Sequence, residues 1–308
     1  MADDLILRFR QHDRTALARL VTLVARGESS SELDAMLAEA PAKKPRVVAI
    51  TGSGGVGKSS LVGRLLETIR QDGKTVAVLA CDPQSPLSGG AILGDRFRMG
   101  SSIDDGLFIR SLAAVGGRGA VADHLPRLLR LLAHYGFDVV LIETVGAGQG
   151  DVAVQQAADV VVLLVQPEAG DELQWEKAGI LEIADVVVVN KGDLPGAEKT
   201  AAQVRGMLDL AHASPVAVLR ASAKTGEGVP ELWRHLLALS PKDVPHRMNV
   251  SLLFDRVAEE AGRRAMKLWS QQDVAVREIV ANWQEGRLAE SHAVDAILKH
   301  TAITSRTE

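Results

Sequence analysis

Seven short apolar runs rich in β-branched residues occupy the middle of the chain, and helically spaced apolar positions fill both ends. The runs span 46–51, 75–81, 106–111, 137–143, 159–165, 185–190 and 215–221, and they are nearly continuous rather than alternating. A strand that is apolar on both faces is buried on both. These runs, separated by helical spacing, predict an α/β fold with a mostly parallel sheet covered on each side. Before them, Leu5, Leu7, Phe9, Leu17, Leu20, Val21, Leu23 and Val24 recur at helix-compatible spacing, and a second helical segment runs from Ser31 to Ala40. Pro41-Ala-Lys-Lys-Pro45 reads as a linker. Beyond Pro245 the pattern is helical to the end, with Leu252, Leu253, Phe254, Val257, Ala258, Met266 and Leu268, then Val276, Ile279, Val280 and Trp283. A last short helix is expected from Ser291 to His300. The expected organisation is an N-terminal helical segment over 1–45, an α/β domain over 46–245 and a helical arm over 246–308. The apolar positions of that arm exceed what one isolated helical hairpin covers, so a covering surface is expected, on a second copy of the chain or on the chain's own α/β domain.

Between the first run and the next helix stands Gly52-Ser-Gly-Gly-Val-Gly-Lys-Ser59. A buried strand, a glycine loop and a helix in that order are what a phosphate-binding loop requires. Glycines let successive N–H groups converge on phosphate oxygens, and the helix N-terminus adds its positive dipole end. Gly52, Gly54, Gly55, Val56, Gly57, Lys58, Ser59 and Ser60 form the candidate phosphate set. Within it, Lys58 is placed to reach the outer phosphates and Ser59 to ligate magnesium. Gly52, Gly54 and Gly57 also satisfy the dinucleotide pattern, but that fold needs neither Lys58 nor Ser59.

The base is read further along. Asp185-Val-Val-Val-Val-Asn190-Lys191-Gly-Asp193 is a strand ending in Asn-Lys-x-Asp. Asp193 can accept from guanine N1–H and its N2 amine together, whereas adenine offers neither donor and would leave the carboxylate unpaired. The stem of Lys191 can cover the purine, and Asn190 can tie neighbouring loops. Alone, this tetrapeptide reads equally well as a surface turn. A further strand ending in Ser222-Ala223-Lys224, with the Ala223 N–H suited to guanine O6, completes a guanine-nucleotide signature.

Charge and composition narrow the partners. A formal net charge of −4 argues against nucleic acid. Cys81 is the one cysteine among 308 residues, which excludes a disulfide framework and any Cys-x-x-Cys metal site. No apolar run reaches membrane-spanning length, and the acidic start Met-Ala-Asp-Asp lacks a signal core. A cytoplasmic protein without a membrane role is expected.

Two acidic stations lie between the phosphate and base motifs: Asp82, with Asp95 beyond it, and Glu143. In a triphosphate site such carboxylates hold magnesium directly or through water. We expect Lys58, Asp95 and Glu143 to be catalytic, and Ser59, Asp82, Asp95 and Glu143 to be the metal set. Gln149 is a weak match to a water-orienting residue.

The segments Asp82-Pro83…Ser88-Gly89-Gly90-Ala-Ile-Leu-Gly-Asp95-Arg96, Glu143-Thr-Val-Gly146-x-Gly-Gln149 and Gly170-Asp171-Glu172-Leu173-Gln174 through Asp185 resemble the chaperone GTPases of adenosylcobalamin-dependent acyl-CoA mutases. The resemblance covers nearly the whole chain. It implies a P-loop GTPase that gates adenosylcobalamin delivery to methylmalonyl-CoA mutase or a related mutase and helps eject damaged cofactor. It also implies GTP, GDP and magnesium as ligands, with the cobalamin carried by the partner. By the same resemblance, residues 82–99, 143–151 and 170–180 are nucleotide-responsive switches, and the C-terminal helices form a homodimer.

The chain departs from the family at Val115-Gly-Gly-Arg118-Gly-Ala120, where Arg-Gly-His-x-Gly-Gly is usual, and this leaves the client mutase open. Trp175-Glu176 in the third switch is also unusual. A nickel-insertion GTPase is a rival of the same fold, but the 8 histidines are scattered. A small-molecule kinase is a rival of another class, disfavoured by the guanine motif and the lack of a substrate-pocket motif.

Overall fold

In the computed structural model, which describes residues 2–82, 105–113, 120–144, 154, 157–167, 184–210, 216–240 and 250–304, the apolar runs become one seven-stranded sheet. The strands are β1 Arg46–Gly52, β2 Val76–Asp82, β3 Leu107–Ala113, β4 Val139–Glu143, β5 Val160–Val165, β6 Val186–Val189 and β7 Ala217–Arg220. Their order is β3-β2-β4-β1-β5-β6-β7, and every pairing is parallel. β1 therefore lies at the centre, between β4 and β5. Ligands of such sheets bind outside the carboxyl ends of the strands.

Alternate residues of one strand feed opposite cores. Ala49, Leu79, Val140 and Ile142 meet Leu125, Leu128, Leu131 and Leu132 of α5 (Ala120–Tyr135). On the other face Val48, Ile50, Val78 and Leu141 meet Leu61, Leu65 and Ile69 of α4 (Lys58–Gln71) and Leu232 and Trp233 of α7 (Val229–Ala238). A third cluster joins Leu163, Val165, Val187 and Val189 to Ala201, Val204 and Leu208 of α6 (Ala197–Leu210).

Residues before the sheet form three helices, α1 Ala2–Arg10, α2 Arg14–Ala25 and α3 Ser31–Ala38. Phe9, Leu17, Leu20, Leu33 and Met36 are buried in the same core as α5. The pattern read from the sequence runs across the first break, which Asp13 creates. Its Oδ1 accepts from Thr15 N at 2.7 Å and Ala16 N at 3.1 Å as the N-cap of α2, while Oδ2 takes Arg8 Nε at 2.8 Å.

Three aspartates close the sheet's amino end in the same way. Asp138, Asp159 and Asp185 each stand one residue before β4, β5 and β6 and each precede Val-Val. Asp159 Oδ2 accepts from Val47 N at 2.8 Å, and Asp159 N donates back to Val47 O at 2.9 Å. Asp185 repeats this with Val161 at 2.8 and 2.9 Å, and Asp138 with Thr75 at 2.7 and 3.1 Å. Each carboxylate supplies an acceptor for a backbone N–H at the start of the neighbouring strand.

The chain divides into two compact units, 1–244 and 245–308. The second holds α8 Val250–Ser270, α9 Val274–Gln284 and α10 Glu290–Thr304. Asp273 caps α9 through Val276 N at 3.0 Å and takes His300 Nε2 of α10 at 3.0 Å. Among the described residues, no helix is long and apolar enough to cross a membrane.

Candidate functional site

The loop between β1 and α4 depends on two glycines. At Gly52 (φ +148) a Cβ would stand 2.5 Å from Leu164 O, so the loop leaves flush against β5 only without a side chain. At Gly57 (φ +94) a Cβ would stand 2.5 Å from Asn190 Nδ2. Lys58 opens α4 and is buried, its Nζ donating to Gly52 O at 2.8 Å and Ser53 O at 2.9 Å. The ammonium is thus folded back over the loop at a helix N-terminus, concentrating positive character there. Val56 is buried beneath the loop, whereas Gly54, Gly55 and Ser60 face solvent.

Glu143 ends β4 beside Ile50 of β1, and Ser59 Oγ donates to its Oε1. A hydroxyl and a carboxylate at the mouth of a phosphate loop are hard oxygen donors, the ligand type magnesium takes. These two residues therefore fit such an ion. Asp82 is the last residue of β2, two strands from β1 at the same sheet end. Its side chain lies outside the described residues. So do Asp95, Gln149, the segment 114–119, Trp175-Glu176, the 170–180 switch and most of the other two switches.

On the far side of β1, Asn190 joins two loops. Its Nδ2 donates to Val56 O at 2.8 Å, and its Oδ1 accepts from Ala223 N at 3.3 Å. The Ala223 N–H offered to guanine O6 by the sequence therefore has a partner within the chain, through a long bond. Lys191 sits in left-handed backbone (φ +57), a conformation costing a non-glycine residue on the order of 1 kcal/mol. It is held there by Gly192 N donating to Ala221 O at 2.9 Å and by its own Nζ donating to Gln166 Oε1. Asp193 Oδ1 accepts from Ser222 Oγ at 2.6 Å. That hydroxyl, against a smaller opposing effect of burial, holds the Asp193 carboxyl below the usual carboxylate value. Lys224 is exposed on the same turn and also favours the ionised form.

Two contacts at this site carry no motif. Gln166, just past β5, steadies Lys191. Arg64 of α4 donates to Ala223 O and Lys224 O. A polar residue ending a wholly apolar strand is a signal for the first; sequence spacing holds none for the second.

Comparison with known proteins gives the family of the chain. A Pyrococcus horikoshii protein named as a GTPase is 38% identical over 286 residues, covering 91% of this chain and 86% of the relative. A Cupriavidus metallidurans protein, fused isobutyryl-CoA mutase, is 37% identical over 237 residues, covering 73% of this chain but 22% of that much longer one. The crystal structure of LAO/AO transport system kinase superposes with a TM-score of 0.64 over 97% of this chain and 96% of that one; at 24% identity it speaks to the fold alone. The family described as methylmalonyl Co-A mutase-associated GTPase MeaB matches residues 17–283, from α2 through both base-reading loops into α9. Since that match spans phosphate loop, sheet and guanine motifs together, the chain belongs to the MeaB family and is a P-loop GTPase.

Proposed function

We propose that this GTPase is the chaperone of an adenosylcobalamin-dependent acyl-CoA mutase, gating cofactor delivery to it and protecting or reactivating it. The observation carrying this is the covalent one. A homologous segment in Cupriavidus metallidurans is part of a fused isobutyryl-CoA mutase, and fusion holds a GTPase and a mutase at high mutual effective concentration. The proposal extends to a homodimer built by residues 246–308, to the domain division 1–45, 46–245 and 246–308, and to a cytoplasmic location.

In this reading Asp193 accepts from guanine N1–H and N2, the Lys191 stem covers the purine, and the Ala223 N–H exchanges its long bond to Asn190 for guanine O6. Lys58 exchanges the carbonyls of Gly52 and Ser53 for oxygens of the terminal phosphates. There it meets charge that develops as water attacks the γ-phosphate in line. Ser59 and Glu143, with Asp82 and Asp95 as further ligands, would hold magnesium, which would supply neutralisation of phosphate charge. Loss of the γ-phosphate then releases segments that its oxygens had held, and this release is the signal to the mutase.

GTP turnover with and without purified methylmalonyl-, isobutyryl-, ethylmalonyl- and hydroxyisobutyryl-CoA mutases tests the proposal, alongside cofactor loading of each. One of them should stimulate turnover and load cofactor only in a defined nucleotide state. Absence of both effects across all four overturns the chaperone reading and leaves the GTPase.

A further inference from the structure

Arg64 belongs to no nucleotide motif, yet it is fastened to the last of them. From the second turn of α4 its Nε donates to Ala223 O at 2.9 Å and its Nη2 to Lys224 O at 3.2 Å. Both acceptors lie on the turn after β7, which the chain reaches only after crossing most of the sheet. The other side of that turn is held by Asn190 on the Ala223 N–H and by the bond between Ser222 and Asp193. The backbone at Ala223 is therefore gripped at its N–H from β6 and at its carbonyl from the phosphate-loop helix. Hydrogen bonds from a guanidinium are charge-assisted and stronger than neutral ones, and the planar fork fixes direction as well as distance.

We propose that Arg64 is a positioning residue for guanine recognition: it locks turn 222–224 to α4, so that base and phosphates are read at one fixed separation. The inference rests on the guanine reading of Asp193 and Ala223 given above. The other contact of Arg64, with Glu67 at 3.0 Å, is an exposed pair one turn along the same helix and contributes little. It supplies the control.

The experiment uses the full chain with Arg64→Met, which keeps an unbranched, helix-favouring stem and removes the donors. GTP, GDP and ATP affinities are measured by calorimetry, with single-turnover hydrolysis and thermal unfolding alongside. GTP and GDP should each bind about tenfold more weakly while ATP does not change, so discrimination falls about tenfold. The loss should fall on affinity rather than on the saturated rate. Arg64→Lys should recover part of it, and Glu67→Gln should match the unmodified chain. A full GTP-over-ATP preference in Arg64→Met, with or without lost thermal stability, overturns the proposal, as does an equal loss in Glu67→Gln. If the unmodified chain itself shows no preference for GTP, the guanine reading falls instead.

Discussion

The two units of the chain dispose of their apolar side chains in opposite ways. In residues 1–244 the helices turn Leu61, Leu65, Ile69, Leu125, Leu128 and Leu132 onto a sheet that buries them completely. In residues 245–308 the described buried hydrophobics are Val276 and Ala293, while Trp269, Trp283, Val294 and Leu298 stand exposed, with Met266 at 65% and Val274 at 72%. The first unit supplies both sides of its own core. The second forms helices that leave several large apolar side chains exposed among its described residues. The contrast accords with the proposal above that the nucleotide chemistry belongs to the first unit and association to the second.

The largest expected effect breaks the two apart. A chain ending at Val244 should be monomeric in light scattering and still bind GTP, where the full chain should be dimeric. A dimeric truncation would return association to the first unit. Next, Lys58→Ala should slow single-turnover hydrolysis by about 10³-fold, roughly 4 kcal/mol of transition-state stabilisation, without changing the oligomer. Persistent hydrolysis would remove Lys58 from the chemistry. Asp193→Asn should weaken GTP binding by about 2–4 kcal/mol in calorimetry, because its amide turns a donor toward N1–H and N2. Equal GTP and ATP binding by the unmodified chain would refute the guanine assignment.

The smallest effect concerns acid stability. Burial pushes the Asp138 carboxyl up, but Lys43 and the amide and hydroxyl of Thr75 outweigh it and hold it at about 2, against 3.8 for the free group. A carboxyl depressed by folding stabilises the fold fully above its unfolded value, and the contribution is lost as pH falls through the folded one. Asp138→Asn should therefore cost about 1–2 kcal/mol at neutral pH and flatten acid unfolding between about pH 4 and pH 2, as followed by circular dichroism. In the second unit the Val276 amide and His300 hold Asp273 low as well. An acid transition of the full chain that Asp138→Asn leaves unaltered would contradict the assignment.

Strands and phosphate loop were legible because they depend on neighbours in sequence. A strand buried on both faces must be apolar throughout, as Val160–Val165 and Val186–Val189 are, and Gly52 through Ser59 carry their own conformational demands. The break at His12-Asp13 was less legible, since one capping carboxylate is a weak mark beside eight helically spaced apolar residues. Arg64 was not legible at all. Nothing in its neighbourhood distinguishes an arginine that reaches 2.9 Å from Ala223 O from one that stays in water. The self-pairing of Lys58 and of Ala223 N–H likewise arises from folded loops rather than from spacing.

The three Asp-Val-Val clasps have a consequence at the opposite end of the molecule. A one-residue slip of β5 along β1 would strand the carboxylate of Asp159 and turn every valine of β5 to the wrong face. The clasps at Asp138, Asp159 and Asp185 act as alignment pins. Counted five residues upward from its clasp, β1 delivers Gly52, β4 delivers Glu143, and the chain leaving β6 delivers Asn190, each about 17 Å along its own strand. The glycine loop, Glu143 and Asn190 are thus set in register by residues that touch none of them.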